Sequence, residues 1–371
     1  DHRDLHLSLR RQRQMCIRDR YLVIGRNFNS WLAPILTGIL LLLLRIVVLI
    51  GQFLDHILFW SIRKPLKDPI VIVGNPRSGT TFLHRFLIKQ KFGSGSQLWQ
   101  MLYPSILIQK LVKPILPLME KISPARHHST EAHRTSLTSV ETDDVSLLFR
   151  YLDGFFLYGF FLTFHEEDLF HWVDPSIRDT SKRDFKWFET VWRRNLISNK
   201  GDRYIGKLFS LSSNLPSFQK RHKDAKILYM IRDPLSVIPS GLSLVTGVLD
   251  KKFDFWSLDH DIKQRFISRL YLALVELLKR FEQDWTNNKI DKEKVMVIRF
   301  NAMMNDFESL MDEILDFIDI EKTDDLIKTI QKTAEEQRSY ESGHKYDLEK
   351  FGLTESQIKN DCKEIYQTFL S

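Results

Sequence analysis

Pro69-Ile-Val-Ile-Val-Gly-Asn-Pro-Arg-Ser-Gly-Thr-Thr-Phe-Leu83 is the stretch on which the fold turns. Ile70 to Val73 is a short, unbroken, β-branched run, the pattern of a strand buried on both faces of a parallel sheet. Gly74 ends it, small and turn-prone residues fill the loop to Gly79, and Thr80, Thr81, Phe82, Leu83, Phe86 and Leu87 then carry helical apolar spacing. The backbone N–H groups that any helix start leaves over, with Arg77, Ser78, Gly79, Thr80 and Thr81 beside them, make a site for a phosphate or sulfate group.

The two glycines have the spacing of a Walker loop, but Thr80 stands where the phosphate-binding Lys belongs, and Arg77 is the only strong cation in the loop. A Mg·ATP cradle is therefore a poor fit. Pro76-Arg77-Ser78-Gly79-Thr80-Thr81 instead resembles the first nucleotide-binding motif of sulfotransferases, P-[KR]-S-G-T-T, which grips the 5′-phosphosulfate of 3′-phosphoadenosine 5′-phosphosulfate (PAPS). A second stretch, Lys226-Ile-Leu-Tyr-Met-Ile-Arg-Asp-Pro-Leu-Ser-Val-Ile-Pro-Ser240, is again a strand running into a polar turn. It resembles the family's strand followed by R-[DN]-P and a Ser eight residues after the Arg. The resemblance implies that Arg232 and Ser240 bind the 3′-phosphate of PAPS. The alternative for Arg232 is a surface ion pair with Asp233.

Tyr204-Ile-Gly-Lys207 and Val295-Met-Val-Ile-Arg-Phe300 read as further strands, and Ile262 to Trp285 and Phe307 to Ile318 as helices. The alternation predicts an α/β fold: a doubly wound parallel sheet with a P-loop-like phosphate-binding loop at its carboxyl edge, preceded by an N-terminal hydrophobic helix.

Sulfuryl transfer needs an acceptor oxygen stripped of its proton and cations to neutralise the sulfonate and the departing phosphate, and it demands no metal. Arg77 then stabilises charge and does not donate a proton. Cytosolic sulfotransferases carry K-T-H-x-P before the second motif, with the His as base. Lys207-Leu-Phe-Ser-Leu keeps the Lys, but Phe209 replaces the His, so that role does not carry over. A largely bacterial branch of the family has an E-D-E cluster before an apolar helix. Glu141-Thr-Asp-Asp144, ahead of Val145 to Tyr151, resembles it, with Thr142 breaking the pattern. The general base is expected at Glu141, Asp143 or Asp144, against an alternative in which these acids cap the helix. His127, His128 and His133 are the reserve. Lys207 is expected on the transferred sulfonate. His344-Lys-Tyr-Asp-Leu-Glu-Lys-Phe-Gly-Leu353 resembles the same branch's C-terminal H-x-Y-x-L-E-x-F-G-L, with His344 and Lys345 as further candidate cofactor contacts.

Trp31 to Ile50 is twenty residues with one charge, Arg45, which is about the length that crosses a hydrocarbon core. A central Arg costs roughly 2.5–3.5 kcal/mol on insertion, which the Leu, Ile and Val neighbours offset. The segment either spans the membrane or lies in its interface, with a buried core helix as the soluble alternative. Arg63, Lys64 and Lys67 follow and favour a cytoplasmic catalytic domain, while Arg26 and any native part of the basic N-terminus argue the other way. Residues 1–20 read as a non-native or disordered basic tail, because Met15-Cys-Ile-Arg-Asp-Arg20 looks like translated sequencing-adapter read-through, with a native basic arm as the alternative. The expected division is that tail, membrane-associated helices over 21–65 and a catalytic domain over 66–371.

The net charge of +7 includes +3 from residues 1–20, six Arg against Asp1, Asp4 and Asp19. This mild basic bias suits an anionic cofactor or a membrane surface, and no nucleic-acid motif is present. Cys16 and Cys362 offer neither a metal spacing nor a disulfide framework, and with no N-x-[ST] sequon a reducing compartment is the simpler reading. The aromatic run Phe155 to Phe164 makes a lipid, sterol or lipid-linked sugar an expected acceptor. Two other function classes stay open: a nucleotide kinase or NTPase with a degenerate P-loop and Asp233 on Mg²⁺, and a non-catalytic membrane-bound binding protein of the same fold.

Overall fold

The computed structural model describes residues 23–123, 136–339 and 347–371. Among the described residues four strands form one parallel sheet: β1 (Ile70–Val73), β2 (Ile205–Lys207), β3 (Lys226–Ile231) and β4 (Val295–Arg299), in the order β2-β1-β3-β4. All four lie where apolar runs predicted them. The register sets Ile72 beside Lys207 and Leu228, and Ile231 beside Arg299. Successive side chains leave opposite faces of a strand, and each face has its own core here. Val71, Val73, Ile227, Tyr229 and Ile231 point into one cluster, and Ile70, Ile72, Leu228, Met230 and Ile298 into the other. Helices cover both sides, so the strands could afford no polar alternation.

The first cluster is roofed by the helices Ser181–Asn199, Pro234–Phe253 and His260–Thr286, the second by Thr80–Lys89, Phe307–Phe317 and Asp324–Arg338. The chain therefore leaves adjacent strands β1 and β3 toward opposite faces. A crevice opens at their carboxyl ends, the place where doubly wound sheets bind ligands.

The apolar N-terminal segment forms one helix, Leu32–Leu58, long and apolar enough to cross a membrane. It is not a core helix: Leu36, Leu40, Leu43, Val47, Ile50 and Phe53 are exposed. Its buried residues Val48, Gly51, Gln52 and Asp55 lie on one stripe against the body. Asp55 is fully buried, pairs with the equally buried Arg194 at 2.9 Å, and accepts the N–H groups of Ile106 and Leu107 at 3.0 Å each. Gln52 donates to the Pro104 carbonyl at 2.9 Å, and Arg45 to the Phe149 carbonyl at 3.0 Å. Removing one partner of a buried pair such as Asp55–Arg194 typically costs about 3–5 kcal/mol, so this helix is fixed to the body. Residues 1–20, with Cys16, lie outside the described residues.

Candidate active site

The loop after β1 is shaped by backbone that few residues tolerate. Gly79 has φ +94°, and a Cβ there would meet the Met303 side chain at 2.4 Å. Arg77 itself sits at φ +77°. A bulky residue in this region is costly and needs outside support. The β3 side supplies it: Arg77 Nε donates to Ser240 Oγ at 3.0 Å, and Arg232 Nη1 donates to the Arg77 carbonyl at 2.9 Å. Arg232 also lies 4.1 Å over the Phe300 ring. The two stretches, 155 residues apart, thus meet across the crevice. Ser78 Oγ is turned inward to the Asn75 carbonyl at 2.7 Å, and Asn75 Nδ2 binds the Leu274 carbonyl at 2.9 Å, which anchors the loop. Gly79 then leads into the helix that Thr80 and Thr81 open.

Lys207 ends β2 and reaches the same helix start, its Nζ 3.0 Å from Thr81 Oγ1. Burial pulls its pKa down, and Glu141, Asp143 and Asp144 act against that. One turn after Thr81, Arg85 binds Glu141 Oε1 at 3.2 Å, and Ser139 donates to the same oxygen at 2.8 Å. The spacing of Thr81 and Arg85 is the signal by which the sequence could have shown that both face this site. His84, between them, is fully buried and drops to about 3 through desolvation. Its ring is neutral, with Nε2 on the Ile205 carbonyl at 3.0 Å.

The acidic stretch divides. Asp143 accepts from the Tyr204 hydroxyl at 2.7 Å and from the Lys207 N–H at 3.0 Å. Asp144 accepts from the Phe209 N–H at 2.8 Å, from Thr142 Oγ1 at 2.7 Å and from the Ser210 hydroxyl. Both carboxylates are spent on the end of β2 and the turn beyond it. The helix-capping alternative fails at Asp144, whose side chain bonds no N–H of the helix Val145–Tyr151 that it precedes. Glu141 is held by side chains instead, beside Lys207.

Burial pushes the Asp143 carboxyl from 3.8 to about 6, against hydrogen bonds from Tyr204 and Lys207 that pull it down. A carboxyl whose folded pKa is raised stabilises fully below its unfolded value and loses that contribution as pH climbs through the folded one. The wild type should therefore lose up to about 3 kcal/mol relative to Asp143→Asn between about pH 4 and 7. Thermal melts of both chains across that range measure it, and a pH-independent difference would refute it.

Asp233, the candidate Mg²⁺ ligand of the kinase alternative, caps the helix Pro234–Phe253 through the Leu235 N–H at 2.9 Å and accepts from the Tyr366 hydroxyl at 2.6 Å. Phe209, in the place of the cytosolic His, is buried with its ring edge-on to Phe155 and Phe156, each at 5.4 Å between centroids. His127, His128, His133, His344 and Lys345 lie outside the described residues. Within the C-terminal stretch, Phe351 and Leu353 join the main core.

The model of the sulfotransferase family, Sulfotransfer_3, matches residues 69–325, more than two thirds of the chain. The chain belongs to the sulfotransferase family. Two solved structures share this sulfotransferase's fold. Sulfotransferase STF9 from Mycobacterium avium superposes with a TM-score of 0.67 at 16% identity, over 86% of this chain and 81% of that one. Sulfotransferase STF1 from Mycobacterium tuberculosis H37Rv gives 0.66 at 17% identity, over 95% and 91%. A comparison with curated proteins gives no match. Family and fold together support sulfonyl transfer as the general reaction of this sulfotransferase.

Proposed function

We propose that this sulfotransferase moves a sulfonate from PAPS to a hydroxyl or amine on an acceptor with an apolar body. The observation that carries the reading is the meeting of Arg77 with Ser240 and Arg232 across the β1–β3 crevice. These donors, with the Thr80–Lys89 helix start, form a set suited to two phosphate-like groups. When bound, PAPS supplies the activated sulfonate.

Gly79, Thr80 and Thr81 at the helix start would hold the 5′-phosphosulfate, with Ser78 tying the loop to the Asn75 carbonyl and Arg77 adding a charge that persists at any physiological pH. Arg232 and Ser240 would hold the 3′-phosphate. Lys207, presented by β2 and steadied by Thr81, would neutralise the sulfonate being passed. Glu141 is the base of choice because Asp143 and Asp144 are committed to β2. It would take the acceptor proton and be left paired with Arg85. Asp143 and Asp144 position Lys207 from its own main chain and from the turn after it. The Phe209 ring, two residues beyond Lys207, and the Phe155 and Phe156 rings packed on it favour an apolar acceptor body, such as a lipid or lipid-linked glycan. Residues 66–371 would make up this catalytic unit, with 21–65 as its membrane-associated part, and Arg63, Lys64 and Lys67 favour the cytoplasmic side.

Calorimetry with 3′-phosphoadenosine 5′-phosphate and with Mg·ATP tests the reading. Metal-independent binding of the bisphosphate is expected, weakened about 10- to 150-fold by Arg232→Ala, the worth of a charge-assisted contact. Binding of Mg·ATP alone would replace it with the kinase reading. Binding of neither would leave a non-catalytic binding protein.

A further inference from the structure

The helix Leu32–Leu58 has one face on the body and the other uncovered. We propose that this uncovered face lies flat in the surface of an anionic bilayer, together with Leu111, Ile115 and Leu118, so that the helix does not cross the membrane. Three observations carry this.

The first is how the helix is attached. Arg45, Gln52 and Asp55 bind Phe149, Pro104 and Arg194 of the body, at points from mid-helix to near its end. A helix crossing the bilayer would carry those partners, with their loops and charges, to the depth of the hydrocarbon, where exposed irregular backbone is not tolerated. Lying in the plane, the same helix keeps the body in water. Arg45, the charge that made crossing costly, then faces protein.

The second is that the apolar surface continues onto another element. The helix Ile106–Val112 packs beside the long one, with Ile108 Cδ1 2.4 Å from where a Cβ on Gly51 would sit. Leu111, Ile115 and Leu118 follow at spacings of four and three, 69%, 52% and 62% exposed. Leu111 lies in the helix Ile106–Val112, Ile115 ends the short turn Lys113–Ile115 and Leu118 lies in the helix Leu116–Ile122, and a single crossing helix gives these exposed positions no reason to be apolar.

The third is the rim. Trp31 and Trp60 stand exposed at the two ends of the long helix, the side chains that settle at headgroup level. Arg63 lies 3.6 Å over Trp60 and Lys110 lies 4.7 Å over Phe59, and Lys64, Lys113 and Lys121 are exposed nearby. The carboxylates over 32–67 and 106–121 are Asp55, buried on Arg194, and Glu120, which accepts the Leu137 N–H. This cationic border complements anionic headgroups, which decides for lipid over a second copy carrying the same charges. The inference does not depend on the acceptor or on the reaction.

The test uses the full chain with Cys16→Ser and a single added cysteine, Ser30→Cys or Ser61→Cys, one at each end of the helix. A membrane-impermeant maleimide applied to intact and to lysed cells reports the side of each. Both ends on the same side are expected, and ends on opposite sides would overturn the proposal. In flotation with phosphatidylcholine vesicles, binding should rise when phosphatidylserine is included and fall about tenfold or more with Leu111→Asp plus Leu118→Asp. Equal binding to both lipids, or binding indifferent to those substitutions, would overturn it. So would a lipid-free dimer that the same substitutions dissociate.

Discussion

Glu141→Gln should lower kcat by about 10²–10⁴-fold, the usual worth of a positioned general base, while the affinity for 3′-phosphoadenosine 5′-phosphate stays near wild type. The amide keeps the shape of the carboxylate and can still accept from Ser139 and Arg85, so the fold should hold. What it cannot do is take a proton. Asp143→Asn and Asp144→Asn should act differently, because their carboxylates bind the main chain around Lys207 and Phe209. Their losses should come with an altered pH dependence of thermal stability, whereas Glu141→Gln should melt near wild type. Steady-state kinetics beside melting curves separate the two patterns. Near-normal turnover in Glu141→Gln would remove this residue as base.

Lys207→Met should cost about 10²–10³ in kcat, the range found when one preorganised donor is removed from developing charge. Methionine fills much the same volume, and the lost partner, Thr81 Oγ1, stands at a half-buried helix start where water can replace the ammonium. A cation that is buried, with its pKa held down by desolvation, is costly to keep and gives nothing to stability that methionine would lose. The variant should therefore melt at or above the wild-type temperature while losing activity. A large fall in melting temperature with turnover intact would make Lys207 a structural residue instead.

The sheet was legible because its strands are buried on both faces. Four short apolar runs, each ending in a polar turn, leave few other readings, and the β1 and β3 turns announced their donors through Arg77, Arg232 and Ser240. The parts that were not legible depend on partners far off in the chain. Arg45 reads in sequence as a cost to crossing a membrane, and only Phe149, 104 residues away, shows that it faces the protein. Asp143 and Asp144 looked like helix caps or bases, since an acidic run before an apolar helix suits both, and their partners on and after β2 lie more than sixty residues later. Arg85 has an ordinary reading in sequence, because an Arg on an amphipathic helix is usually a solvated side chain. Its place four residues after Thr81 puts it on the same face, and the return of Glu141 to that helix gives it a partner.

The ties that fix the acidic stretch also have a consequence for solubility. β2 is only three residues long and is the outermost strand on its side of the sheet. A bare strand edge is a template for pairing with another chain. Here Ser94 bridges to Tyr204 and the Asp143 N–H donates to the Lys207 carbonyl at 2.9 Å, so the acidic stretch also closes the edge. Chains in which this closure is undone should assemble edge to edge, and part of the protein that such variants lose would be found in aggregates.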